Sequence, residues 1–278
     1  MASAISSKDG SVDSIFMIHG MWGGPGYWDR FRSIFEPLGY RCLATTLPYH
    51  DRAPGDAPDP RLGQTSVRDY ADALEREITE LGRRPILFGH SMGGLLAQIL
   101  AARGCARAAV LLAPAPPAGI TALTPSVLRS FLPVMMHWGC WRKPMRQPFA
   151  TAVYSMLHLL PPEQQRLTYD RFVHESGRAA CEIGLWPLDP HGATRIDAQA
   201  VDCPLLVIAG AEDRITPARV VRKVAQKYGA QATFKSFEHH AHWLVEEPGW
   251  EDVAHWIADW LNQLPPDAAP AFGTRMVR

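Results

Sequence analysis

The sequence predicts an α/β protein with a mostly parallel sheet of about six strands, flanked by helices, and a helical cap inserted after the fourth strand. Three observations carry this expectation. Short apolar runs such as Ile86-Leu87-Phe88 and Ala108-Ala109-Val110-Leu111-Leu112 are almost unbroken, as in strands covered on both faces. They alternate with segments whose apolar residues recur at helical spacing. That alternation stops from about Pro114 to Arg195, where no clean strand is legible and Pro, Met and aromatic residues crowd together.

Ser14–Ile18 is the first strand, and it ends in the glycine-rich loop His19-Gly20-Met21-Trp22-Gly23-Gly24-Pro25-Gly26. A helix is expected from Tyr27 to Leu38, closed by Gly39, and a second strand from Tyr40 to Thr46. Leu47 to Gly63 is loop, dense in Pro, Gly and Asp. Ser66 and Asp69 form a capping-box pattern ahead of Val67, Tyr70, Leu74, Ile78 and Leu81, which share one helical face. Pro85 starts the third strand, the run from Leu95 to Leu100 suits a buried helix, and Arg107–Leu112 is the fourth strand. Alternation resumes with a strand over Pro204–Gly210, a helix over Pro217–Tyr228, a strand over Ala232–Phe237 and an amphipathic helix over Pro248–Leu264. The expected organisation is a polar arm over 1–13, a core over 14–113 and 196–264, a cap over 114–195 and a flexible tail over 265–278.

The 278 residues, 47% of them hydrophobic, can bury a large core. Lys plus Arg and Asp plus Glu balance at 28 each, so no net field draws the chain to nucleic acid, and binding should come from a pocket. Cys42, Cys105, Cys140, Cys181 and Cys203 are widely spaced and contain no C-x-x-C, which argues against a disulfide framework or a zinc site. The N-terminus is polar and has no apolar signal core, and no apolar run reaches membrane-spanning length. The expectation is a cytoplasmic protein with no metal, no cofactor and no stable membrane insertion, whose state as monomer or homodimer is left open.

The chemistry is concentrated at strand ends. Gly89-His90-Ser91-Met92-Gly93 sits between a strand and a helix, the context in which G-x-S-x-G forms a sharp turn that presents a serine hydroxyl. A serine is a poor nucleophile without a base, a carboxylate to orient that base and donors for the developing oxyanion. Asp213 lies just past one late strand and His242 just past the other, where catalytic groups collect in open α/β sheets. Glu212 is the substitute carboxylate and His240 the substitute base, while His19 reads as structural. Asp213 has a duller reading as the cap of the helix near Pro217. Backbone N–H groups of Met92 and of Met21 or Trp22 are the expected oxyanion donors. The expected substrate pocket draws on Trp22, Met135, Met136, Trp138, Trp141, Trp186 and Trp243.

With these residues in hand, the chain resembles the α/β-hydrolase superfamily and, within it, the cap-bearing esterases and lipase-like hydrolases. The resemblance runs from about Ser14 to Leu264 through HGMWGG, GHSMGG, AGAEDRITP and HHAHWLVEEP, in the family's order. It implies Ser91 as nucleophile, Asp213 as orienting acid, His242 as base and an acyl-enzyme route on a small-molecule ester. Only about a dozen residues precede the first strand, so the sheet should be trimmed at its N-terminal end. A medium-sized, mainly apolar ester is the expected substrate, with monoacylglycerol-like, lactone and thioester forms open. A receptor-like ligand-binding protein with slow or no turnover is the alternative, followed by a lyase and by a membrane-interfacial lipase.

Overall fold

The computed structural model describes residues 13–265, so the arm over 1–13 and the tail over 265–278 lie outside the described residues except for Asp13 and Pro265. β1 (Ser14–Ile18) is followed by a tight 3-10 turn, Pro25–Trp28, which runs into α1 (Asp29–Phe35). This helix is shorter than its apolar spacing suggests because Gly39, at φ +92°, lets Tyr40 N–H reach back to Phe35 O at 3.2 Å. β2 (Arg41–Ala44) precedes the long loop, and α2 (Val67–Glu80) opens with the expected capping box between Ser66 and Asp69. β3 (Ile86–His90), α3 (Met92–Ala102) and β4 (Ala108–Leu112) come next. Every residue of β3 and β4 is buried, as is all of α3 except its last residue, which explains their unbroken apolar sequences.

Between β4 and the next strand of the sheet, the chain builds a separate layer. It contains α4 (Pro125–Met135), the two-residue strand β5 (Pro144–Met145), α5 (Phe149–Ala152) continued by a π-turn over Val153–Leu157, and α6 (Pro162–Asp170). The two-residue strand β6 (Glu175–Ser176) and α7 (Gly177–Gly184) complete it. β5 and β6 pair antiparallel, Met145 opposite Glu175, in a stretch where no strand is expected from sequence. Two residues are too few to show a period, so the ribbon leaves no sequence signal. β7 (Leu205–Gly210), α8 (Ala218–Lys227), β8 (Ala232–Phe237) and α9 (Trp250–Leu261) close the fold.

The main sheet has six strands in the order β2-β1-β3-β4-β7-β8, every neighbouring pair parallel. Its one-sided direction places the loops after β1, β3, β7 and β8 at the same edge, which is where Met21, Ser91, Asp213 and His242 fall. One face is sealed by an aromatic cluster in which Phe88 meets Trp28, Phe31 and Phe35, and Phe31 meets Trp250 of α9. No helix among the described residues is long and apolar enough to cross a membrane.

Candidate active site

The turn at Ser91 is strained in the manner its sequence demands. Ser91 takes φ +54° and ψ −116°, a conformation that costs a non-glycine residue on the order of 1–3 kcal/mol. It is held there because Ser91 N donates to Leu112 O at 3.0 Å, while Ser91 O accepts from Gly94 N, Leu95 N and Ala115 N. The flanking glycines permit the close approach of strand and helix. A Cβ on Gly93 would lie 2.1 Å from Ile18 O, and one on Gly89 would lie 2.3 Å from Gly93 O.

Asp213 and His242 meet beside this turn, both buried. Asp213 Oδ1 accepts from Ile215 N at 2.7 Å and Thr216 N at 2.9 Å, while Oδ2 accepts from Thr216 Oγ1 and from His242 Nδ1, both at 2.8 Å. The two readings of Asp213 are therefore divided between its oxygens, one bracing the following turn and the other holding the imidazole. Burial opposes ionisation of this carboxyl, but the neighbouring His242 and the donated hydrogen bonds outweigh it and keep Asp213 below the usual carboxylate range. An ionised carboxylate only accepts, so Nδ1 of His242 carries the proton and Nε2 presents its lone pair. Nε2 has no hydrogen-bond partner among the described residues.

Two further residues fix His242, and sequence reasoning gave neither a role. Thr216 Oγ1 also lies 3.0 Å from Ala113 O and 3.3 Å from His242 Nδ1, which ties Asp213, His242 and the end of β4 together. Its signal was available, since it lies three residues beyond Asp213 in the same strand-end turn. His90 Nε2 donates to His242 O at 2.8 Å, and burial, with His242 alongside, lowers its pKa to about 3. A neutral His90 therefore clamps the backbone of the loop that carries His242.

The alternative groups are occupied elsewhere. Both nitrogens of His19 meet backbone, Nδ1 at Gly20 O and Nε2 at Leu47 N, and burial lowers its pKa to about 3. His240 bonds Glu238 O, and Glu212 lies near the exposed His239 rather than near His242. Met92 opens α3, where first-turn N–H groups find no acceptor within the helix. The N–H groups of Met21 and Trp22 meet no acceptor among the described residues, and Trp22 holds φ +61°.

A cavity of about 250 Å³ opens over Ser91. Met21, Met92, Ile215 and Thr216 share it with Ser91, and Ile120, Val127, Leu128, Phe131, Leu132, Ile183, Leu185 and Trp186 wall it. Of the aromatic and Met residues expected there, Trp186 is present. Trp22 is buried against Phe131 instead, and Trp243 is buried among Tyr27, Phe172 and His90. Met136 and Trp138 are exposed outside the cavity, and Trp141 lines a separate groove with Leu185 and Leu188. The side chain of Met135 lies outside the described residues. Much of the wall comes from apolar positions of α4 and α7, whose spacing the aromatic content of the segment obscures.

Comparison with known proteins adds a family. A model described as "Alpha/beta hydrolase family" matches residues 15–256. A comparison with curated proteins finds no match. Among solved structures, a monoacylglycerol lipase from Paleococcus ferrophilus is 23% identical, covering 89% of this chain and 93% of its own, with a TM-score of 0.63. A methylesterase from Arabidopsis is 14% identical over 91% of this chain and all of its own, with a TM-score of 0.67. A pyrethroid hydrolase from Sphingobium faniae is 19% identical over 91% and 98%, with a TM-score of 0.66. At these identities the likeness is one of fold.

Proposed function

Because the chain belongs to the alpha/beta hydrolase family, we propose that it is a serine hydrolase cleaving a medium-sized, mainly apolar carboxylic ester through an acyl-enzyme. The observation that carries the reading is the buried Asp213–His242 hydrogen bond set beside a strained, half-buried Ser91 at the base of an aliphatic cavity. His242 Nε2 takes the Ser91 hydroxyl proton as Oγ attacks the ester carbonyl, and Asp213 steadies the imidazolium that results. The oxyanion is received by the N–H groups of Met92 and Met21, with Trp22 adjacent. His242 then returns the proton to the departing alcohol, and a water activated by the same nitrogen releases the acid.

The aliphatic walls favour an apolar acyl or alcohol group, and about 250 Å³ is small beside most ligand cavities, which suits a chain of moderate length. Monoacylglycerol-like esters, lactones and thioesters fall within that description, and the lipase and esterase names of the structural neighbours agree with it. Residues 114–195 act as the cap in this reading, and cysteines with no disulfide among the described residues suit a cytoplasmic setting. Ser91→Ala should abolish p-nitrophenyl ester turnover and fluorophosphonate labelling while thermal unfolding stays within a few degrees. Retained turnover in that variant would overturn the assignment.

A further inference from the structure

The helix over the cavity is apolar on two sides, and only one of them is covered. Val127 and Val134 of α4 are buried, whereas Leu128, Leu132 and Met136 recur every four residues on an outward stripe. A helix with apolar residues all round is ordinarily enclosed. Here Leu123, Leu128, Leu132, Met136, Trp138 and Leu188 are between 53% and 86% exposed. They are connected: Leu123, Leu128 and Leu132 rim the cavity together with Leu185, and Leu185 shares the next groove with Trp141 and Leu188. Trp138 and Trp141 stand edge to face, 5.3 Å between ring centroids.

The charge around this patch has one sign along a long stretch of chain. No Asp or Glu occurs between Glu80 and Glu163, while Arg129, Arg142 and Lys143 are exposed among the apolar residues. Lys143 Nζ donates to Trp138 O at 3.2 Å, and Arg142 lines the same groove as Trp141. Two acids reach the groove from α7 and the turn after it: one is paired with a cation, and the other keeps its charge and offsets one of the three. Glu182 pairs with Arg178 and accepts from Ser66, and Asp189 accepts from His191 N and Ala193 N. Exposed tryptophans, a leucine stripe and a surplus of cations together match the boundary between acyl chains and anionic headgroups.

We propose that the face running from Leu123 along α4 through Trp138 and Trp141 to Leu188 docks reversibly on an anionic lipid surface, with the cavity mouth turned toward the bilayer. Docking of this kind buries one helix face in the interface without any spanning segment. It lets an apolar small molecule pass from lipid into the cavity without crossing water. The surface stands on exposure and charge, so it does not depend on the hydrolytic reading.

Co-sedimentation of the full chain with phosphatidylglycerol vesicles and with phosphatidylcholine vesicles tests it. Each cation near an anionic leaflet is worth about fivefold in partitioning, so a surplus of two should favour phosphatidylglycerol by roughly 25-fold at low salt, a preference that added salt erodes. The double variant Met136→Glu, Trp138→Glu should lower partitioning by at least about tenfold. Both side chains are exposed and outside the cavity, so folding and turnover of a soluble ester serve as controls. Absence from phosphatidylglycerol vesicles at low salt, equal partitioning to both lipids, or unchanged partitioning of the double variant overturns the proposal. So does a concentration-dependent dimer that excludes vesicles, since a second copy would then be the occupant of the face.

Discussion

At the scale of single residues, Thr216 is the most informative position beyond Ser91, Asp213 and His242. Its one hydroxyl proton is shared between Asp213 Oδ2 and Ala113 O, so it both stabilises the carboxylate and fixes it to the end of β4. Thr216→Val keeps the shape and removes the hydroxyl. Hydrogen bonds to charged groups contribute about 1.5–3 kcal/mol, so kcat/KM for a soluble ester should fall by about tenfold or more. The pH profile separates this from a packing defect. Asp213 is held below its ordinary range, so its pairing with His242 survives as pH falls and is lost only at low pH. Without the Thr216 donor the carboxyl rises, so the acid side of the stability profile, read as unfolding midpoints in urea, should move to higher pH. A profile that keeps its shape while activity drops would mean Thr216 serves packing alone. The placement of Ser91, Asp213 and His242 at one edge of the sheet was legible in the sequence, because each follows a strand that its own composition reveals. His90 and Thr216 were less so, because their value lies in which backbone atom or carboxylate they reach across the fold.

At the scale of elements, the insertion is fastened to the sheet layer by buried polar groups at its rear. Glu175 of β6 accepts from Tyr70 OH at 2.7 Å and pairs with His50 Nε2 at 3.1 Å, with all three side chains buried. Burial alone would push His50 down, yet Glu175 outweighs it and holds the imidazole above its ordinary value. The same pairing keeps Glu175 below the carboxylate range. Ser176 Oγ donates to Thr65 O at 2.6 Å, and Glu182 of α7 receives Ser66 Oγ and Val67 N at the start of α2. Removing one member of a buried pair costs about 3–5 kcal/mol, so Glu175→Gln should lower urea stability by that order. A second change, His50→Gln, should return part of the loss, and a cycle of the two variants measures the coupling. None of this was legible beforehand, since 125 residues separate His50 from Glu175 and β6 is too short to announce itself. The helix over α2, by contrast, read well: the Ser66–Asp69 capping box and the apolar face behind it became α2 as expected.

At the scale of the whole molecule, stability should decline toward alkaline pH. Burial raises Glu247 from the ordinary 4.5 to about 8, so the folded chain keeps a proton that the unfolded chain releases. Stability therefore falls as pH climbs through that window. The His50–Glu175 contribution is likewise lost as pH rises through the elevated His50 value. Glu247→Gln retains an acceptor for Ala241 N and carries no titrating proton. It should gain on the order of 3 kcal/mol at about pH 9 and little at about pH 5, read as unfolding midpoints in urea. Equal gains at both pH values would show that the carboxyl is not the source. The parallel sheet itself was legible because strands buried on both faces leave unbroken apolar runs. The cavity wall was not, because, Trp186 apart, the described aromatic and Met residues expected to mark it lie in the core or at the outer surface.

The register across β4 and β7 carries one more consequence. Ala109 sits opposite Leu205, so two neighbouring strands are joined by the entire insertion. Ser91 belongs to the chain before that insertion, and Asp213 and His242 to the chain after it. A single backbone cut between them leaves Ser91 on one fragment and the Asp213–His242 pair on the other. Such a nicked protein would be held by the β4–β7 seam together with the buried contacts of Glu175 and Glu182 to the chain before the insertion.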